Sequence, residues 1–530
     1  MSQPLKGLPI GLQTFEDFHT RNGVYVDKTR YLYSMISATS KIYFLSRPRR
    51  FGKSLTLSTL EAIFTGKKEL FSGLWIESAN YEWEVYPIIR IDMSKIPHGE
   101  GEFSNALARD LARIGTSNGV TIPKNIPESE LLIELILALH QKYKEKVVIL
   151  IDEYDKPIID HLTNRTLASK NREILRNFYG VLKGMDEYLR FVFLTGVTKF
   201  SQVSIFSGLN NLRDITLDSA FGTLCGYTQE ELEQYFEPYF ETFSQQQGLS
   251  LEETLKKFKY WYNGYSFGKN VDKVYNPYST LNALSLNEFA SKWFESGTPT
   301  FLIKLIQERE YDIPSLEDLS ISSSDFGSFD IDKIEIKTLL VQTGYLTITD
   351  YDKEWDLYQL GFPNYEVKDG FYSHLIKHLS DVDQGQSRSL IRDMMLSLKN
   401  NDLDSFFKAL MTFFANIPYE LQTKADEKYY QSLFHSVMVL IGLKTQSEVH
   451  TNNRRIEAVI ELKNAIYLFE FKIEMDATEK ETLKKTAKEA LKQIQTKGYR
   501  KKYEGHRKSI HEIGAVFDGK QRTIGAWMRE

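Results

Sequence analysis

The run Arg47–Ser54, RPRRFGKS, sets glycine, lysine and serine in succession directly after an apolar stretch, Ile42–Leu45. It directly precedes a segment in which Leu57, Leu60 and Phe64 recur at three- and four-residue spacing. That order predicts strand, tight loop, helix. A loop opening onto a helix N-terminus turns unpaired N–H groups and the positive end of the helix dipole toward an anion, and phosphate is the guest that fits. Gly52 lets the backbone approach closely, Lys53 reaches the β- and γ-phosphates, and the Ser54 hydroxyl is placed for Mg²⁺. Arg50, Phe51 and Leu55 complete the loop. One position departs from the pattern: glycine is expected five residues before Gly52, and Arg47 stands there. A solvated basic turn has the same composition, so the other half of a nucleotide site must come from elsewhere in the chain.

It comes from Val147–Ile151, five consecutive aliphatic residues ending in Asp152-Glu153. A run apolar at every position predicts a central parallel strand covered by helices on both faces. Carboxylates at the C-terminal end of such a strand lie at the sheet edge where α/β folds bind ligands. There Asp152 can hold Mg²⁺, and Glu153 can polarise the water that attacks the γ-phosphoryl group. A further apolar strand, Phe191–Leu194, leads into Thr195-Gly196-Val197-Thr198-Lys199. Beside the Asp152 strand it brings Thr195 or Thr198 near the γ-phosphate.

A third constellation lies near the C-terminus. In a strand predicted over Ile466–Ile473, Glu470 and Lys472 project to one face and Phe471 to the other. Glu457, in the preceding strand-like run Arg455–Glu461, adds a second carboxylate. Two acids can hold a divalent metal, Mg²⁺ or Mn²⁺, that activates water and stabilises phosphate charge, with the lysine positioning that water. Between Lys480 and Lys508 there are 11 Lys or Arg against 3 Glu, a local surplus suited to a phosphate backbone.

The elements that position these groups follow from composition and periodicity. At 530 residues the chain is too long for one ordinary core. A net charge of -5 gives no global nucleic-acid signature, so any basic surface is local. The single cysteine, Cys225, excludes an internal disulfide and fits a reducing compartment, and no apolar run is long enough to span a bilayer. These features predict a cytoplasmic protein without a membrane partner. Strands alternating with helical patterns across Lys41–Leu217 predict a parallel α/β sheet: Tyr86–Met93 and Leu212–Leu217 as further strands, Phe103–Ile114, Ser129–Tyr143 and Arg172–Met185 as helices. The lead-in Leu8–Ile36 says little alone. From Tyr227 the texture is helical, opening on a capping-box pattern at Thr228 and Glu231. Its aromatics, Trp261 to Tyr265 and Tyr275 to Tyr278, predict a packed lid. Ser320–Ser324 reads as a link marking a boundary near residue 320. A helix and hairpin over Lys333–Leu360 follow, then a helical run from Phe371 to about Phe414. Tyr429–Leu443 and Thr478–Lys497 are helical.

Together these stretches resemble a family, the AAA-ATPase-like proteins of bacteria. The residues that carry the resemblance are Leu8 to Gly11, Val26-Asp27-Lys28-Thr29, RPRRFGKSLTLSTL from Arg47, LIDEYDKP from Leu150, LTGVTKF from Leu194, Tyr275 to Tyr278, and QTGYLTI from Gln342. The resemblance implies that Arg47 belongs to this family's form of the loop, that Lys53 and Ser54 bind ATP and Mg²⁺, and that Asp152 and Glu153 are the Walker B pair. It also implies assembly into a homo-oligomer in which a neighbour's arginine completes the site. The C-terminal constellation resembles the PD-(D/E)XK nuclease-like domain found at the end of such proteins, including Gln493 and Tyr499. That domain usually shows Gly-Arg-x-Asp where this chain has Arg454-Arg455-Ile456-Glu457, and Glu448 stands one strand earlier as a further acid. The expected fold class is therefore α/β: an N-terminal P-loop (AAA/ASCE-like) parallel sheet with helical lid and middle domain, plus a C-terminal α/β PD-(D/E)XK nuclease-like domain. The expected domains are 1–225, 226–320, 321–424 and 425–530. The expected function is Mg²⁺-dependent ATP hydrolysis coupled to a domain that binds, and with a metal cleaves, nucleic acid, DNA above RNA. The alternative is an ATP-regulated switch or scaffold whose nuclease-like domain only binds a partner.

Overall fold

The computed structural model describes residues 5–123, 125–199, 205–206, 209, 211–293, 306, 313, 316, 319–326, 335–418, 421, 427–445, 456–475, 479–503 and 508–530. Two short helices, α1 (Phe15–Thr20) and α2 (Thr29–Ile36), precede β1 (Ile42–Ser46), the loop and α3 (Lys53–Phe64). Then come β2 (Ile88–Asp92), α4 (Phe103–Ser117), α5 (Glu128–Tyr143), β3 (Val147–Asp152), α6 (Lys156–Ile159), α7 (Arg165–Gly180), β4 (Leu189–Gly196) and β5 (Leu212–Asp214). Every strand pairing is parallel, in the order β2-β3-β4-β1-β5. β1 and β3 are buried at every position, the burial that helices on both faces impose.

Among the boundaries that differ from the periodicity, two have a clear local cause. α7 begins at Arg165, ahead of the predicted Arg172, because the Asn164 side chain accepts from the Leu167 N–H and caps it. β5 stops at Asp214, short of Leu217, because the Thr216 hydroxyl turns inward to accept from the Ser46 N–H at 3.0 Å.

The lid opens with α8 (Gln229–Gln247), where the Thr228–Glu231 capping box forms as the pattern predicts. It continues through α9 (Leu251–Tyr262) and α10 (Pro277–Leu286). Phe236, Phe240, Phe258, Tyr262 and Tyr275 pack into one core, so most of the aromatic density here is packing. Ser320–Ser324 is not a link. It forms β6 (Leu319–Ser322) and the start of a short helix, α11 (Ser323–Phe326), and β6 pairs antiparallel in a second sheet. That sheet runs β6-β8-β7, with β7 (Thr347–Asp352) and β8 (Leu357–Gly361) following α12 (Ile336–Thr343). Ile321 is the cause: buried at 1% exposure, it anchors a run that serine content alone marks as flexible.

By its contacts the chain forms two compact units, residues 1–301 with 319–366, and 302–318 with 367–530, so the boundary expected near 320 falls inside the first unit. Residues after 320 pack on the phosphate loop itself. Gln342 accepts from the Lys199 N–H at 3.1 Å, and a Cβ on Gly344 would stand 2.7 Å from Pro48.

In the second unit the predicted helical run is three helices, α13 (Tyr365–Ser380), α14 (Gln384–Lys399) and α15 (Leu403–Ala415). Asp383 and Asp402 break it by capping the second and third. After α16 (Glu427–Thr445) come β9 (Ile456–Glu461), β10 (Ala465–Glu474), α17 (Lys480–Lys497), β11 (Ser509–Asp518) and β12 (Thr523–Arg529). The sheet order is β12-β11-β10-β9, antiparallel at both edges and parallel between β10 and β11, which α17 connects. Along β10 the predicted alternation holds. Phe469 and Phe471 stack on Phe406 and Phe434, while Ile466 and Leu468 face Ile494 of α17. Among the described residues no helix is long and apolar enough to cross a membrane.

Candidate functional site

The loop between β1 and α3 is built on two left-handed residues, Arg50 (φ 69°) and Gly52 (φ 91°), which turn it sharply into the helix. Lys53 spans the loop, its ammonium donating to the carbonyls of Arg47 (2.9 Å) and Pro48 (3.0 Å). Burial lowers its pKa, against the carboxylates of Asp152 and Glu153. Arg47 plays a part that the motif does not suggest. Its guanidinium is 1% exposed and donates to the carbonyls of Ser46 (2.9 Å), Thr216 (2.7 Å) and Phe221 (3.1 Å), with the Phe267 ring 4.2 Å away. The side chain thus ties the base of the loop to the segment after β5. Replacing Arg47 with the glycine of the general pattern is therefore expected to destabilise the first unit by about 3 kcal/mol, read as a lower urea midpoint, because three carbonyls lose a charged donor.

Strand order brings the second half of the site into place. β4 lies between β1 and β3, and at its end the Thr195 hydroxyl donates to Asp152 Oδ1 at 2.6 Å. The Glu153 N–H donates to the same oxygen at 3.1 Å. Thr195 therefore lies against the Asp152 carboxylate at the adjoining strand ends. Thr198 does not: its hydroxyl and N–H both bond Asp155 Oδ2, at 2.7 and 2.6 Å, so Asp155 holds it to the turn after β3. Glu153 has φ 52°, a conformation that non-glycine residues adopt at a cost. Burial raises its pKa, and Lys53 works against that rise.

Arg50, Phe51, Gly52, Lys53, Ser54, Leu55 and Glu153 line one cleft of about 350 Å³. Its remaining walls include residues that sequence reasoning passed over. Pro9, Gly11, Leu12 and Gln13 come from the lead-in, and Tyr227, Tyr278 and Leu281 from the lid. Pro9 to Gln13 precede the helix-like pattern of the lead-in and carry no periodicity of their own, because a strap lining a cleft needs none. Tyr278 departs from the packed aromatics: the Arg50 guanidinium lies 4.7 Å from its ring centroid. Asn276 explains the motif around it, capping α10 through the N–H groups of Tyr278 and Ser279.

In the second unit the register sets Glu457 of β9 directly opposite Glu470 of β10. Glu470 is fully buried. Lys472, on the same face by alternation and one-third exposed, reaches Glu489 of α17 at 3.4 Å. Gln493 is part-buried, and its Nε2 has no hydrogen-bond partner among the described residues. Glu448, Arg454, Arg455 and the side chains of Glu457 and Tyr499 lie outside the described residues. Among the described residues no three His, Cys, Asp or Glu side chains gather as a metal cluster.

A parallel sheet carrying a phosphate loop and a Walker B strand, followed by a mixed sheet with E-x-K on a central strand, defines a P-loop ATP-binding protein with a nuclease-like domain. A predicted AAA-ATPase family model matches residues 9–206, and a PD-(D/E)XK nuclease superfamily model matches 425–527. An uncharacterized protein in the vnfD 5′ region of Azotobacter chroococcum mcd 1 is 36% identical over 540 residues, covering 99% of both chains. The chain belongs to the AAA-ATPase-like family, in the form that ends in a PD-(D/E)XK nuclease-like domain. Two solved structures are similar at a low level. The Orc1 protein of Aeropyrum pernix in complex with DNA is 10% identical, with 65% of this chain and 90% of that one covered and a TM-score of 0.24. Cdc6p of Pyrobaculum aerophilum is 11% identical, with 65% and 92% covered and a TM-score of 0.24.

Proposed function

We propose that the first unit is a Mg²⁺-dependent ATPase whose nucleotide state governs a second unit that binds nucleic acid, DNA above RNA. The observation that carries the first part is the Thr195–Asp152–Glu153 array at the strand ends, whose Glu153 lines the cleft together with Arg50–Leu55. In this reading the loop N–H groups and Lys53 hold the phosphates. Ser54 and Asp152 would hold Mg²⁺. When bound, that ion neutralises phosphate charge. Glu153 takes a proton from the attacking water as its oxygen bonds to the γ-phosphorus and the bond to the β–γ bridging oxygen breaks, giving ADP and inorganic phosphate. Lys53 contributes a charged hydrogen bond, so Lys53→Ala is expected to weaken nucleotide binding about 10–100-fold. Unchanged binding of a fluorescent ATP analogue would remove the phosphate site from this loop.

In the second unit Glu457 and Glu470 would hold Mg²⁺ or Mn²⁺ and Lys472 would orient the attacking water, on a surface whose basic α17 and following residues track the phosphate backbone. Assembly into a homo-oligomer belongs to the same reading. A second reading, a switch or scaffold that binds without cutting, is favoured by the engagement of Lys472 with Glu489 and the full burial of Glu470. Incubation of full-length protein with plasmid, single-stranded DNA and RNA, with Mg²⁺ or Mn²⁺ and with or without ATP, separates the two. Cleavage lost in Lys472→Ala supports a nuclease, and binding without cleavage supports the scaffold.

A further inference from the structure

The ATP cleft contains a cation that the phosphate-loop pattern does not supply. Lys156 opens α6, three residues past Glu153, and lines the cleft with Lys53, Ser54 and Glu153. It enters from the β3 side, whereas Lys53 enters from the β1 side. Its charge acts on Glu153, and its Nζ lies 3.0 and 3.1 Å from the two carboxylate oxygens of Asp160, one turn further on.

Asp160 is held from a second direction by His98 Nε2 at 3.2 Å. His98 Nδ1 lies 2.8 Å from the Ile96 carbonyl, which only accepts, so Nδ1 carries a proton. An ionised Asp160 likewise only accepts, so its bond to Nε2 favours a second proton on the ring. The bond to Asp160 raises the His98 pKa. The His98 carbonyl in turn accepts from His161 Nε2 and Asn171 Nδ2, each at 3.0 Å, and Asn171 also donates to the Pro157 carbonyl at 2.8 Å. The loop after β2 and the helix α7 thus converge on α6. A part-exposed lysine–aspartate pair one helical turn apart adds little stability, so stability alone gives little reason for so many groups to fix one lysine.

We propose, on the ATP-site reading above, that Lys156 contacts the γ-phosphoryl oxygens, as a second cation supplied by the same chain, and that Asp160 and His98 position it. The γ-phosphoryl group carries charge on three oxygens as its bond to the leaving phosphate lengthens, and a fixed ammonium on the Glu153 side stabilises that charge. ADP lacks the group, so Lys156 distinguishes the two nucleotides where Lys53 and the loop N–H groups serve both.

The test uses full-length protein, fluorescent ADP, a fluorescent non-hydrolysable ATP analogue, and steady-state ATP hydrolysis. In Lys156→Ala the ADP affinity stays within about twofold, the analogue binds about 10-fold more weakly, and kcat falls about 10–100-fold, the loss of one charged hydrogen bond. Lys156→Arg recovers part of both losses. Asp160→Asn, which keeps the cation and loosens its tether, lowers kcat less than Lys156→Ala and leaves ADP affinity unchanged. Lys156→Met, which keeps the apolar stem, replaces alanine if melting shows the latter unfolded. An unchanged analogue-to-ADP affinity ratio with unchanged kcat in the Lys156 variants overturns the proposal while Lys53→Ala still weakens both nucleotides. If Lys53→Ala binds both normally, the ATP-site reading fails and the proposal falls with it.

Discussion

Glu153→Gln is expected to lower ATP turnover about 10²–10⁴-fold while nucleotide still binds, the range over which a positioned general base contributes. The substitution is nearly isosteric, and the backbone at φ 52° and the bond from the Glu153 N–H to Asp152 remain available to glutamine. What disappears is the capacity to accept a proton. Burial holds the Glu153 carboxyl above the ordinary carboxylate range even though Lys53 opposes the shift. Turnover of the parent protein should accordingly decline with acidification at a pH above that range, since the base form is lost as pH falls through the raised pKa. The variant should retain ATP through gel filtration where the parent releases ADP. A variant within threefold of parental kcat would exclude Glu153 as the base.

Gly514→Ala is expected to unfold the second unit, at a cost above ~4 kcal/mol, because no rotamer relieves the clash. Gly514 lies opposite Glu470 in the β10–β11 register. A Cβ there would stand 2.3 Å from the Leu491 nitrogen and 2.4 Å from the Ala487 carbonyl oxygen, both backbone atoms of α17. The helix therefore rests on the sheet at the one position of β11 without a side chain, directly beside the candidate metal carboxylate. Calorimetry should show the transition of the second unit lost or moved to low temperature, with ATP hydrolysis by the first unit retained. Nucleic-acid binding should be lost with it. A melt that matches the parent would mean that α17 does not pack on β11 in this way.

How much was legible depended on whether a signal was local. RPRRFGKS, the aliphatic run ending in Asp152-Glu153 and the alternation around Phe471 each state their own geometry, because a strand–loop–helix turn, a strand buried on both faces and a two-residue period are encoded within a few residues. The capping box at Thr228 and Glu231 is of the same kind. Signals that depend on distant partners misled. Serines at 320–324 suggest a link until Ile321 is seen buried in an antiparallel strand. Thr198 looks equivalent to Thr195 until Asp155 is seen to hold it.

By itself, then, the sequence determined the α/β character and which residue types stand where phosphate, metal or proton chemistry would be expected, since residue chemistry and short-range periodicity are properties of the chain. Only the tertiary structure decided that β4 lies between β1 and β3 so that Thr195 meets Asp152, that Arg47 turns beneath the loop to bind three carbonyls, and that the lead-in lines the cleft. It also decided that Lys156, with Asp160 and His98 behind it, faces the same cleft. Each of these depends on strand order and on packing between segments tens to hundreds of residues apart, which no local pattern encodes.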